Sequence, residues 1–88
     1  MITNITLKLN QVPLGQAFLV ESLEAQNEAD ILQMEAIGFL PSEQVMVLNK
    51  GLFKGDALVV RVGVSTFALR PTEAEMVRLK PIVEEHDQ

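Results

Sequence analysis

The sequence predicts a mainly β domain: a small, partly closed antiparallel barrel of about five strands, with one inserted α-helix and a short C-terminal helical turn. A chain of 88 residues is the size of one domain. Its hydrophobic fraction of 48% is sufficient for a packed core. Several short apolar segments are separated by glycine and proline, which is the pattern of a small barrel. We expect one domain over 1–88, with an ordered core of about 7–82 and an acidic tail at 84–88.

The first predicted strand is AFLVESLEA, which follows a lead-in ending in a turn at 13–15. Val20 and Leu23 are three residues apart, so the two-residue alternation of a strand fails between them. We therefore expect a β-bulge or a strong bend in this strand.

A helix of about three turns is predicted to follow, with Asn27 as its N-terminal cap. Glycine at position 38, with Phe39 and Pro41 after it, is a complete stop signal. The apolar residues inside predict one broad buried face, made of Ile31, Leu32, Met34, Ala36 and Ile37.

The second half of the chain predicts four more strands, in QVMVL, ALVVRV, STFALR and MVRLK. QVMVL is apolar on both faces, so we expect the helix to cover its outer side. Gly63 is expected to permit a tight reversal between the third and fourth strands. Thr72 and Glu75 are spaced as a capping box and predict a single helical turn.

The charge is unevenly distributed along the chain. The formal net charge is −5, yet residues 50–80 carry +3 and the rest of the chain −8. The acidic total argues against nucleic-acid binding, and no apolar run is long enough to insert into a membrane. We expect a cytoplasmic protein. The uneven charge is compatible with docking of a partner or a second copy of the chain, but on charge alone an ordinary mixed solvated surface is the favoured interpretation.

The order of these landmarks resembles the ferrous iron transport protein A (FeoA) family over about residues 7–80. The resemblance rests on the turn at 13–15, the helix ending IGFLP, the Gly55-Asp56 turn into LVVRVG, then FALR and the Glu73-Ala74 turn. Ser42 and Ala57 depart from it, since the family often has glycine and proline there. The resemblance implies a bacterial cytosolic protein with an SH3-like barrel that takes part in iron homeostasis.

The resemblance also implies a partner, the ferrous iron transporter FeoB, contacted through its cytoplasmic G-protein region. A related module occurs in metal-dependent repressors, but we expect no winged helix here. Nothing in the sequence combines a nucleophile with a base in a walled pocket, so no enzyme and no cofactor are expected. SH3 domains bind proline-rich peptides in a groove lined with aromatic rings. The chain has no Trp and no Tyr, so we expect no such peptide binding.

The predicted partner-binding residues are Leu52, Phe53, Lys54, Arg61 and Arg70. Leu52 and Phe53 are unusual for a loop tip and, flanked by Lys50 and Lys54, would form an apolar spot ringed by cations. The alternative is that Phe53 folds back over the barrel mouth as a plug.

Two alternative functions stay open: a self-associating SH3-like interaction module that is not linked to iron, and a chaperone that binds Fe²⁺ or another divalent metal weakly. The candidate ligands are the tail residues Glu84, Glu85, His86 and Asp87, with Glu43 and Gln44 as a second oxygen pair. Both groups are better interpreted as solvated polar surface, so no metal site is predicted.

Overall fold

The computed structural model describes residues 7–53 and 55–83. Its strands are β1 (Leu7–Lys8), β2 (Ala17–Leu23), β3 (Gln44–Asn49), β4 (Leu58–Val62), β5 (Ser65–Leu69) and β6 (Val77–Pro81). A 3-10 helix (Leu9–Gln11), α1 (Glu28–Ala36) and α2 (Pro71–Ala74) stand between them. The strands form one antiparallel sheet in the order β1-β6-β2-β3-β4-β5. The predicted fold, with its inserted helix and its helical turn, is confirmed.

The segment before the first predicted strand contributes more than a lead-in. β1 pairs with β6, where Leu7 lies opposite Leu79, and the 3-10 helix follows at once. Leu9 and Val12 from this segment are fully buried. The sequence analysis missed this contribution because neither a two-residue strand nor a single 3-10 turn is long enough to show a periodicity.

The predicted β-bulge in β2 is present. The pairing with β6 shifts register between Val20, opposite Leu79, and Ser22, opposite Arg78. The bend lets β2 pair with β3 through Ala17–Leu19 and with β6 through Phe18–Leu23. One strand thus connects the two halves of the sheet.

Both predicted ends of α1 are confirmed. The Asp30 backbone N–H donates to Asn27 Oδ1 at 2.9 Å, which is an N-terminal cap. At the other end Gly38 has φ +115°, and its N–H donates to the Glu35 carbonyl at 3.0 Å. Phe39 N–H donates to the Met34 carbonyl at 3.1 Å, which completes a Schellman motif and turns the Phe39 side chain into the core.

The broad apolar face predicted for α1 is formed only in part. Met34 is buried, Ile31 is half-buried, and Ile37 is half-buried and packs against the core, whereas Leu32 is 57% exposed and Ala36 is exposed. The Schellman turn adds the buried Phe39 ring to this narrower contact. The expectation that the helix covers the outer face of β3 fails in part, since Leu48 remains exposed.

The loop from α1 to β3 contains a strained residue. Ser42 has φ +72°, in the left-handed region that glycine adopts far more easily than other residues. Its N–H donates to the Val20 carbonyl at 2.8 Å, which holds the turn in place. Glycine at this position would adopt the same turn without that strain.

The helical turn α2 is capped differently from the prediction. The Arg70 backbone N–H donates to Glu73 Oε1 at 2.9 Å, so Arg70 is the cap residue and Glu73 the third helical residue. The predicted Thr72–Glu75 box is wrong. Pro71 decides the position, because proline is favoured at the first helical residue and the cap must then precede it.

The core lies between the two halves of the bent sheet and alternates along the strands as predicted. Its buried members are Leu9, Val12, Phe18, Val20, Met34, Phe39, Val45, Val47, Leu58, Val60, Val62, Leu69, Ala74, Val77 and Leu79. Phe67 is half-buried and packs against this cluster.

Candidate docking site

The loop between β3 and β4 presents two large apolar side chains to solvent. Leu52 is 94% exposed and Phe53 is 76% exposed. The plug interpretation, in which Phe53 covers the barrel mouth, is therefore wrong. We call Leu52 and Phe53 the apolar tip.

Polar contacts inside the loop hold the apolar tip outward. The Phe53 N–H donates to Asp56 Oδ2 at 3.0 Å, and the Asp56 N–H donates to the Phe53 carbonyl at 3.1 Å. Gly55 lies between them with φ +100°. Gly51 backs so closely against the Asp56 side chain that no side chain fits on it. The loop conformation thus depends on Gly51, Gly55 and Asp56, and the side chains of Leu52 and Phe53 do not contribute to it.

A groove of about 410 Å³ lies beside the apolar tip. Leu52 and Phe53 line it from the loop, and Pro71 and Glu75 from the α2 side. Asn10 also lines it, and its Oδ1 is buried with no hydrogen-bond partner in the part of the chain that the structure describes. Leu52, Phe53 and Pro71 give the groove an apolar lining, which suits an apolar side chain of a partner.

The predicted ring of cations around the apolar tip is not formed by Lys50. Its ammonium donates to the Val12 carbonyl at 2.8 Å in a partly buried position, so it ties the loop to the N-terminal segment. Lys54 lies outside the described residues. Asp56 and Glu75 line the groove as well, which makes its rim mixed in charge.

Arg70 lies at the same end of the β4–β5 hairpin as the apolar tip. It precedes Pro71 of the groove, its side chain is 83% exposed, and its Nε is 4.0 Å from Glu73 Oε1. A contact this long between exposed groups restrains the guanidinium little. Arg70 is therefore available to a partner seated on the apolar tip.

Arg61 does not join this site. Arg61 lies opposite Thr66 on β5. Thr66 precedes Arg70 by four residues, so Arg61 and Arg70 are separated by about 13 Å along the hairpin at the usual rise of a strand. Arg61 lines a separate depression of about 200 Å³ with Met46 and Val64. The structure thus groups Leu52, Phe53 and Arg70, and places Arg61 towards the other end of the hairpin.

The sequence analysis did not place Asn10, Pro71 and Glu75 at the docking site, although all three line the groove. They come from segments about 60 residues apart in the chain and have no motif in common. Only the folding of the 3-10 helix and α2 against one end of the sheet brings them together.

No metal centre is found in the described ranges, 7–53 and 55–83, where no three His, Cys, Asp or Glu side chains are grouped. Glu43 and Gln44 are both exposed at the start of β3. The candidate ligands Glu84, Glu85, His86 and Asp87 lie outside the described residues. Over the same described ranges, no helix is both long and apolar enough to cross a membrane.

Comparisons with known proteins place this architecture among SH3-like domains. The chain is similar to the zinc-complexed FeoA of Stenotrophomonas maltophilia, with 34% identity, a TM-score of 0.74, and coverage of 84% of this chain and 89% of that one. It is similar to a FeoA-like protein of Clostridium acetobutylicum, with 18% identity, a TM-score of 0.76, and coverage of 99% and 98%.

The same fold occurs in part of a larger protein. A manganese-dependent transcriptional repressor has a TM-score of 0.81 at 16% identity, over 92% of this chain but only 44% of the repressor. At such identity the likeness concerns the fold alone. No curated protein sequence matches the chain.

The family model of the FeoA domain matches residues 7–81, which includes every strand and both helices described above. The match spans most of the chain, and the S. maltophilia protein is 34% identical over 84% of it. The chain therefore belongs to the FeoA family.

Proposed function

We propose that this chain is a non-enzymatic accessory protein of ferrous iron uptake that binds the cytoplasmic G-protein region of a FeoB-type transporter. Membership of the FeoA family implies a role in ferrous iron transport. The S. maltophilia relative is described as a candidate bacterial ferrous iron transport activating factor. Beyond this role, we propose the binding partner, the cytoplasmic location and the accessory, non-enzymatic mode of action.

The observation that carries the proposal is the apolar tip. A phenylalanine that is 76% exposed at a loop tip is costly to solvate, and this one is held outward by the hydrogen bonds of Asp56. Exposed aromatic side chains beside a pocket are typical anchors of protein interfaces. We therefore propose that Phe53 enters a pocket of the transporter domain, while a partner side chain fills the groove between the tip and α2.

Arg70 fits a different part of this interaction. An exposed cation at the rim of an interface accelerates association with an acidic surface and contributes less to the final affinity. We propose that the transporter surface opposite Arg70 is acidic and that Arg61 makes no contact with it. This narrows the surface predicted from the sequence, which included both arginines.

A role without catalysis or a resident cofactor agrees with the residues around the groove. Its charged side chains are Lys50, whose ammonium is tied to a backbone carbonyl, and the carboxylates Asp56 and Glu75. Asp56 holds the loop through the Phe53 N–H. Ferrous iron is then the cargo of the transporter.

The experiment is titration calorimetry of the full chain into the purified cytoplasmic G-protein domain of the ferrous transporter from the same cell. Phe53→Ala is expected to weaken binding about 30-fold or more, which is the usual effect of losing a central aromatic anchor. Leu32→Ala is the matched control, since it removes an exposed apolar side chain from α1. An affinity of Phe53→Ala within about threefold of the wild-type value would refute the apolar tip as the docking site.

A second pair of variants locates the surface along the hairpin. Arg70→Glu is expected to slow association at low salt, whereas Arg61→Glu leaves the rate unchanged. A larger effect of Arg61→Glu would move the surface to the other end of the hairpin. Absence of any binding by the wild-type chain would favour the alternative of an interaction module unrelated to the transporter.

A further inference from the structure

The last strand of the sheet order, β5, has one open edge in the described structure. The hydrogen bond from the Gly63 N–H to the Gln44 carbonyl, 3.1 Å long, shows that residues 59, 61 and 63 direct their backbone groups towards β3. Leu58, Val60 and Val62 consequently bond to β5, through Leu69, Phe67 and Ser65. The N–H and C=O groups of Thr66 and Ala68 therefore point to the open edge.

This edge lacks the features that normally prevent strands from pairing. Exposed edge strands usually carry a lysine, a proline or a bulge. β5 reads STFAL, has no charged residue, and pairs with β4 without a register shift. Ser65, Thr66 and Ala68 are exposed, and Val64 in the preceding turn is 95% exposed.

We propose that the open edge of β5 pairs with β5 of a second copy of this chain, antiparallel and around a two-fold axis. The backbone groups that face outward decide the register. Thr66 lies opposite Ala68 of the second copy, and Ala68 opposite Thr66 of the second copy, because this register pairs all four outward N–H groups with carbonyls inside β5, whereas a shift by two residues would pair them with Val64 or Arg70, outside the strand. Phe67 then lies on the two-fold axis, opposite Phe67 of the second copy.

The side chains of β5 are compatible with this symmetric register. Phe67 is half-buried and packs against the core from the edge of the sheet, so the ring of the second copy would cover its remaining exposed part. The position on the axis is a non-hydrogen-bonded pair, in which side chains approach most closely and aromatic pairs are favourable.

The charges at the ends of the strand also favour a second copy. Each Arg70 is three residues from the axis, so the two guanidinium groups are separated by roughly 20 Å along the strands and do not repel strongly. In this register Arg70 lies opposite Val64 of the second copy. The aliphatic part of Arg70 thus covers Val64, which at 95% is the most exposed large apolar residue of the described chain. The interface is closed by its two-fold symmetry and leads to no extended fibre.

The test is analytical ultracentrifugation of the full chain over about 10 µM to 1 mM, the range suited to a short interface. We expect a concentration-dependent monomer–dimer equilibrium for the wild-type chain. Ala68→Pro removes an N–H that has no partner among residues 7–53 and 55–83, so the fold is expected to be retained while two hydrogen bonds of the dimer are lost. We expect its dimer dissociation constant to rise at least 10-fold, and that of the control Ala68→Thr, which keeps the N–H, to change by less than about threefold.

A measurement on the wild-type chain covers the case in which Ala68→Pro does not fold. Amide hydrogen exchange followed by NMR is expected to slow at Thr66 and Ala68 as concentration rises, and to remain constant at Leu52 and Phe53. A chain that stays monomeric to 1 mM, or a dimer in which the Thr66 and Ala68 amides exchange as freely as in the monomer, would overturn the proposal. The outcome is independent of whether the transporter domain binds the apolar tip.

Discussion

The pair of truncations Phe39→Ala and Phe53→Ala compares the same chemical change at two extremes of burial. Phe39 is fully buried behind α1, whereas Phe53 is 76% exposed at the apolar tip. Removing a fully buried phenylalanine side chain typically costs about 3–5 kcal/mol in unfolding free energy. Scaling that cost by the remaining quarter of burial gives about 1 kcal/mol for Phe53→Ala.

The difference is large relative to the stability of a chain of this length. At about 0.05–0.15 kcal/mol per residue, 88 residues correspond to roughly 4–13 kcal/mol. Phe39→Ala therefore removes a large part of the total stability, while Phe53→Ala leaves most of it. This matters for function, because the binding experiment with Phe53→Ala is informative only if that variant is folded.

The assay is urea unfolding followed by far-ultraviolet circular dichroism, because the chain has no Trp and no Tyr to report by fluorescence. With a slope of about 1 kcal/mol/M for a protein of this size, Phe39→Ala is expected to lower the midpoint by about 3 M or more. Phe53→Ala is expected to lower it by about 1 M or less. Equal destabilisation by the two variants would show that Phe53 packs on the barrel, and would contradict the apolar tip.

Three further predictions concern a strained turn, a helix cap and the tail. Ser42→Gly should raise the unfolding free energy by about 0.5–1 kcal/mol in urea titrations, because glycine relieves the positive φ; an unchanged value would contradict the strain. Asn27→Ala should lower it by about 1 kcal/mol through loss of the cap, with Gln26→Ala as a neutral control. Anaerobic calorimetry should show no stoichiometric Fe²⁺ binding to the full chain; binding that is lost when the chain ends at Val83 would identify the tail as a metal site.

Three local signals in the sequence predicted the structure correctly. The Asn27 cap, the Gly38 stop and the β2 bulge are each determined by residues within a few positions of one another. Backbone geometry and side-chain capping act over that range, so the pattern and the structure agree.

The predictions for the two helices failed in whole or in part. The apolar face of α1 was predicted from spacing alone, and it is narrower than predicted, because Leu32 and Ala36 are exposed. The cap of α2 moved to Arg70 because Pro71 is favoured at the first helical position. Thr72 and Glu75 have the right spacing, but they lie two residues too late.

The sequence predicted the apolar residues of the candidate site correctly, but not its cations. Exposed leucine and phenylalanine at a loop tip were visible as residues foreign to a turn, and the structure presents them to solvent. The cations were misjudged, because the Lys50 ammonium finds the Val12 carbonyl, 38 residues earlier in the chain. A hydrogen bond over that separation leaves no trace in the local sequence.

The sequence by itself determined the family, the succession of strands from β2 to β6 and most of their inward residues, because strand alternation and turn chemistry are local properties. The tertiary structure alone decided which outward residues share a surface. Arg61 and Arg70 lie on the same hairpin, but the β4–β5 register places them at different ends, and the fold of the N-terminal segment against α2 creates the groove beside Phe53. Docking depends on distances between segments remote in the chain, and only the packed sheet defines those distances.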